Sequence, residues 1–137
     1  MIEVRNLCKS FGGAQVVHDV SFVVEKGETL ILIGLSGCGK TTTLKMTNRL
    51  VEPDSGEIMI NGVNVVESSP FALRRNVGYV IQDIGLLPHF TVGRNVGLVP
   101  RLQAWEKQRV VEQTHRMLDL VGLEPGDYEH RYPRELS

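Results

Sequence analysis

Thr29-Leu30-Ile31-Leu32-Ile33-Gly34-Leu35-Ser36-Gly37-Cys38-Gly39-Lys40-Thr41-Thr42-Thr43-Leu44-Lys45-Met46 is the stretch on which the reading of this chain turns. Its middle, Gly34 to Thr41, fits the phosphate-loop pattern G-x-x-x-x-G-K-[ST] at every fixed position. Of the five residues before it, four are apolar and three (Thr29, Ile31 and Ile33) are β-branched, which predicts a buried parallel strand. The residues after it, Thr42 to Leu50, place Leu44, Met46 and Leu50 along a predicted helix. Strand, glycine loop and helix in succession give the pattern its physical context.

Each fixed residue has one task. Gly34, Gly37 and Gly39 lack Cβ atoms, so the chain can turn sharply and bring its N–H groups against phosphate oxygens. Those donors converge at a helix N-terminus, where the dipole also favours an anion. Lys40 adds a full positive charge for the terminal phosphates, and the Thr41 hydroxyl is placed to ligate Mg²⁺. Leu35, Ser36, Cys38 and Thr42 complete the segment that wraps the phosphates. A dinucleotide site is disfavoured, because the spacing is not G-x-G-x-x-G and a lysine follows the last glycine.

Working outward, the 137 residues suffice for one domain with a modest core. The apolar fraction is 42%, and no run approaches the length needed to span a bilayer. The N-terminus, Met1-Ile2-Glu3-Val4-Arg5, lacks a signal pattern and reads as cytoplasmic. A net charge of −1 without a basic face gives no case for nucleic acid. Cys8 and Cys38 are too few for a disulfide framework, and His18, His89, His115 and His130 have no ligand spacing.

Before the loop, Ile2, Val4 and Asn6 are expected on one face of a first strand, with a second from Val16 to Val24 beyond the Gly12-Gly13 turn. Glu25-Lys26-Gly27-Glu28 is a further turn. After the helix, Glu52-Pro53-Asp54-Ser55-Gly56 is a dense turn signal. Glu57-Ile58-Met59-Ile60 should then pair with Val63-Asn64-Val65 across Asn61-Gly62. Pro70 to Arg75 makes one or two helical turns, and Val77 to Ile81 a further buried strand. From Thr91 the chain turns helical: between Trp105 and Val121, Val110, Val111, Thr114, Met117, Leu118 and Val121 form one apolar stripe, ended by Gly122.

This order resembles the ATP-binding subunit of ATP-binding-cassette (ABC) transporters. Three strings carry the likeness: the glycine loop; Tyr79-Val80-Ile81-Gln82-Asp83 with Leu86-Leu87-Pro88-His89-Phe90-Thr91-Val92; and Tyr132-Pro133-Arg134-Glu135-Leu136-Ser137. Within that family the chain is most similar to importers of osmoprotectants such as glycine betaine, choline and carnitine. Thr43 to Leu50, Ile84 to His89 and Leu98-Val99-Pro100 support that likeness.

The resemblance implies an α/β phosphate-loop fold with N-terminal antiparallel β elements and the start of a helical subdomain. The ATP-binding core would run over residues 1–88 and the helical subdomain from 89 to 137. It places Phe11 where an aromatic stacks on adenine, with core packing beside Gly12 as the alternative reading. It places Gln82 near Mg²⁺ and the attacking water, a role that suits a neutral amide. Residues after Gln82, including His89 and Phe90, would meet a membrane permease. ATP and Mg²⁺ are the implied ligands, a second ATP-binding subunit the implied partner, and the inner face of the plasma membrane the implied location.

Ser137 stands where the family's L-S-G-G-Q signature begins, and these residues hold neither the Asp-Glu strand nor the switch histidine that follow it. Weak ATP binding and negligible hydrolysis are therefore expected of this chain alone. Two other readings stay open: a nucleotide-binding fragment without catalysis, and a soluble, non-transport ATPase of the same family.

Overall fold

The computed structural model describes residues 1–81 and 85–136. They cluster into two compact units, Met1–Tyr79 and Val80–Ser137, each described on its own below.

The first unit is built on a four-stranded antiparallel sheet of order β2-β1-β3-β4, with β1 at Ile2–Phe11, β2 at Ala14–Val24, β3 at Ser55–Ile60 and β4 at Val63–Asn64. Two tight turns make it. Gly12 and Gly13 join β1 to β2 with φ of 56° and 84°, and Asn61 and Gly62 join β3 to β4 with φ of 51° and 81°. Positive φ at both central residues matches the twist of a two-residue hairpin, and glycine or asparagine tolerates it best. β4 stops at Asn64 rather than at the expected Val65. The Asn64 side chain accepts from Val66 N–H, and the chain turns into a short 3-10 segment, Val65–Glu67, that buries Val65.

Asn6 does not share a face with Ile2 and Val4. Its φ is 46°, the β1–β2 register shifts between Val4 and Leu7, and Leu7 becomes the buried residue instead. The bulge is held from β2: Asn6 N–H donates to Ser21 Oγ (2.8 Å), and Asn6 Nδ2 donates to Asp19 Oδ1 (2.8 Å). An extra residue in a bulge moves the alternation by one, which a strict period of two does not anticipate.

Val4 and Leu7 of β1, Val17 of β2 and Ile58 of β3 cluster with Val65, with Met46 of α1 (Lys40–Thr47) and with Leu73 of α2 (Pro70–Asn76). Within α1 the core-facing residues are Thr43 and Met46, one turn apart, whereas Leu44 and the following Leu50 are half-exposed. The helix expected over residues 42–50 thus runs from Lys40 to Thr47, and of its three apolar residues only Met46 reaches the core. Ser69 caps α2 by accepting from Ala72 N–H, with Pro70 in the first turn. Arg74 fastens α2 to the end of α1 by donating to the carbonyls of Asn48 and Arg49.

Residues 29–33 and 77–81, both expected as buried strands, adopt no strand conformation. Ile33 is 90% exposed and Val80 is 96% exposed. A parallel strand needs a neighbour delivered by a long crossover, and no described segment pairs with either run.

The second unit is helical: α3 at Val92–Val96, α4 at Leu98–Leu102, α5 at Lys107–Leu120 and α6 at Pro125–Tyr128, then a 3-10 turn at Pro133–Glu135. Val110, Thr114 and Leu118 form the buried stripe of α5, at a spacing of four. Val111 and Val121, expected on that stripe, are exposed. A spacing of four selects a narrow contact line, and Val111 lies off it. Two glycines admit α3 closely: a Cβ on Gly93 would stand 3.1 Å from Glu129 Cβ, and one on Gly97 would stand 3.0 Å from Thr114 Oγ1. Gly122, with φ of 74°, ends α5, and Leu123 N–H returns to the Leu118 carbonyl (3.0 Å). No helix among the described residues is long and apolar enough to cross a membrane.

Candidate functional site

The glycine loop, residues 34–41, leads into α1 and is pinned by β2. Gly39 is the N-cap of α1 with φ of 95°, and a Cβ there would lie 2.5 Å from the Val16 carbonyl oxygen and 3.2 Å from Val17 Cγ2. Conformation and space therefore both demand glycine at this position. Gly37, with φ of 82°, turns the loop at its exposed crest. A Cβ on Gly34 would meet Cys38 Sγ at 2.6 Å, so the Cys38 side chain folds back over the start of the loop.

Lys40 closes the ring. Its ammonium donates to the carbonyls of Gly34 (2.8 Å) and Leu35 (2.7 Å) and lies 3.5 Å from Cys38 Sγ. Cys38 N–H returns to the Leu35 carbonyl at 3.3 Å. On the helix side, Thr43 gives both its N–H (2.8 Å) and its hydroxyl (3.0 Å) to the Gly39 carbonyl, anchoring the first turn beneath the loop. The fixed cation and the N-terminus of α1 thus stand together, and the first turn of that helix carries no acidic side chain. A cavity of ≈110 Å³ lies against this point, lined by Val16, Gly37, Gly39, Lys40, Thr41 and Thr42. A larger neighbouring hollow, ≈470 Å³, adds the apolar residues Ile31, Leu32 and Ile33.

Of the expected site residues, Gly34, Leu35, Cys38, Gly39, Lys40, Thr41 and Thr42 gather around the loop or its cavity, and Ser36 lies exposed at the crest. Phe11 ends β1 at the Gly12-Gly13 turn, 49% exposed and outside the core cluster, so core packing does not account for it. The hairpin that carries Phe11 also carries Val16, the residue that meets Gly39. Gln82 lies outside the described residues.

Sequence reasoning missed two contributions. Val16 and Val17 support the loop by backbone and methyl contact, which no motif encodes. Asp54 bonds to the end of β1: its carboxylate accepts from Lys9 Nζ (2.7 Å) and from Ser10 N–H (2.7 Å). The Lys9 bond foremost, and the Ser10 bond after it, hold that carboxyl below the usual carboxylate range. The signal available was an acidic residue within a turn.

Residues 17–137 match the family model described as "ABC transporter". The whole chain aligns with the choline transport ATP-binding protein OpuBA of Bacillus subtilis at 48% identity, covering 36% of that protein. It aligns at 46% identity with the osmoprotectant import ATP-binding protein OsmV of Salmonella typhimurium, covering 37% of it. With the glycine betaine uptake system ATP-binding protein YehX of Escherichia coli the identity is 44%, over 44% of that protein. The chain thus spans between a third and half of the length of these relatives. All of it also superposes on a solved ATP-binding subunit of an ABC transporter, with a TM-score of 0.86 and 29% identity, over 56% of that structure. The dimeric ABC transporter cassette MJ0796 gives a TM-score of 0.85 at 25% identity, over 63% of its chain. On the match over residues 17–137, this chain belongs to the ABC transporter family.

Proposed function

We propose that this chain supplies ATP binding to the energising subunit of an importer for quaternary-amine osmoprotectants such as glycine betaine. The observation that carries the ATP-binding part is the closed loop: Lys40 tied to the Gly34 and Leu35 carbonyls, with Gly39 pressed against β2. Such a loop fits a triphosphate because its glycine backbone leaves N–H groups unshielded and its one cation is already centred. Bound nucleotide would draw Lys40 from neutral carbonyls to phosphate oxygens, which reward a cation more strongly. Thr41 would contribute its hydroxyl to Mg²⁺, Thr42 and the loop amides would hold the phosphates, Phe11 would stack on adenine, and Gln82 would stand near the metal. Bound Mg²⁺ would offset charge on the terminal phosphates. The solute follows from the names of the relatives, which concern choline, glycine betaine and osmoprotectants.

In the same reading residues 1–88 are the nucleotide-binding core and 89–137 the start of a helical subdomain. The partners are a second ATP-binding subunit and a membrane permease at the inner face of the plasma membrane. Residues 87–95 suit contact with the permease. Asn95 holds that loop by donating to the carbonyls of Leu87, Phe90 and Thr91, while His89 stands edge-on to Phe90 at 4.6 Å and Arg94 covers the Phe90 ring.

Titration calorimetry with Mg-ATP tests the central part. Lys40→Ala should weaken binding by about ten- to a hundredfold, since a charge-assisted hydrogen bond contributes roughly 1.5–3 kcal/mol. A folded Lys40→Ala chain with unchanged affinity would refute the assignment.

A further inference from the structure

Past the first residue of β3, β1 continues for three residues with a strand on one side only. The last β1–β3 pair is Cys8 with Ser55, whereas Lys9, Ser10 and Phe11 pair with Val17, Gln15 and Ala14 of β2 alone. Asp54, the residue before β3, occupies the other side. Its N–H donates to the Cys8 carbonyl (3.0 Å), and its carboxylate accepts from Lys9 Nζ and Ser10 N–H, both at 2.7 Å. One residue thus bonds to three consecutive residues of β1, and the next residue is Phe11. The Lys9 ammonium in turn stands 5.4 Å from the centroid of the Phe11 ring. Carboxylate, ammonium and ring form a chain of contacts ending at the half-exposed aromatic.

We propose that Asp54 and Lys9 are positioning residues for the nucleotide base: they fix the end of β1 so that Phe11 presents one open face to a purine ring. This rests on the reading of Phe11 as the stacking residue. A register that shifts twice between Leu7 and Ser10 leaves this end of β1 poorly specified by its ladder, and the Asp54 carboxylate supplies the missing constraint. The ammonium covers one ring face and has its charge balanced by Asp54, so the opposite face is the one left for a base. Lys9 is thereby committed to the ring and is not a phosphate ligand. The ligand class affected is the nucleobase, with no part played in holding the triphosphate.

The test compares Mg-ATP with inorganic tripolyphosphate, which has the phosphates but no base, on the wild-type chain, Phe11→Ala, Asp54→Ala, Lys9→Met, Lys9→Arg and the Phe11→Ala/Asp54→Ala pair. Phe11→Ala should lower ATP affinity by about 5- to 150-fold, the range of one base stack, and leave tripolyphosphate unchanged. Asp54→Ala and Lys9→Met should lower ATP affinity by about three- to tenfold, again without moving tripolyphosphate, with Lys9→Arg near wild type. The double variant should be no worse than Phe11→Ala. Unchanged tripolyphosphate affinity also shows that each variant keeps a formed loop. If Asp54→Ala lowers both ligands equally, the residue is structural and the proposal is overturned. If Phe11→Ala lowers the ATP-to-tripolyphosphate ratio and Asp54→Ala does not, the proposal falls while the stacking reading stands. If Phe11→Ala leaves that ratio unchanged, the stacking reading fails and the proposal with it.

Discussion

β1 and residues 29–33 are both rich in apolar and β-branched side chains, yet they reach opposite conditions. β1 lies between β2 and β3 with Val4 and Leu7 in the core, whereas residues 29–33 pair with no described strand and Ile33 is 90% exposed. The difference lies in where the partner comes from. β2 reaches β1 through a two-residue turn, so the loss of chain entropy is small and the ladder forms locally. A parallel neighbour arrives only through a crossover of a dozen residues or more. Apolar content alone therefore does not make a strand. The loop nevertheless forms, because its supports are β2 on one side and α1 on the other, both belonging to the locally built half of the unit.

The sharpest way to break this comparison is a matched pair of truncations. Leu7→Ala should cost about 2–5 kcal/mol in chemical unfolding, as a fully buried side chain does, whereas Ile33→Ala should stay within about 0.5 kcal/mol. Equal costs would mean that residues 29–33 are packed in solution. Next in size is Gly39→Ala. Positive φ and a 2.5 Å approach to the Val16 carbonyl oppose a methyl group, so unfolding should shift by about 1–3 kcal/mol and Mg-ATP affinity should drop as the loop leaves β2. Unchanged stability would show that β2 does not pin the loop.

The smallest effect concerns acid. The carboxyl of Asp54 is held below its ordinary value by Lys9 and Ser10. The stability it contributes is whole above the ordinary carboxylate pKa of about 3.9, and is lost as pH falls through the lower value set by the fold. Unfolding followed from neutral pH to below pH 4 should therefore show a shallower acid decline in Asp54→Asn than in the wild type. Parallel declines would remove Asp54 from the account.

Much of this was legible in the sequence. Asn61-Gly62 and Gly12-Gly13 announce their hairpins because few residues accept positive φ, and the glycine loop announces itself because each of its fixed positions has a separate physical task. The Asn6 bulge was not legible, since one inserted residue depends on Ser21 and Asp19 across the strand. The inward face of α1 was not legible for a related reason: Leu44 is more apolar than Thr43, yet Thr43 and Met46 are the buried residues. The support of Gly39 by Val16 uses a backbone carbonyl, which any residue would supply, so no side-chain pattern could reveal it.

Amide hydrogen exchange on the wild-type chain, with and without Mg-ATP, tests the central claim most directly: a locally built antiparallel scaffold presents a formed phosphate loop. Slow exchange is expected in β1, β2 and β3, fast exchange in residues 29–33, and Mg-ATP slowing that begins in residues 37–43. Protection of residues 29–33 equal to that of β1 without nucleotide, or no slowing of the loop with Mg-ATP, would contradict it.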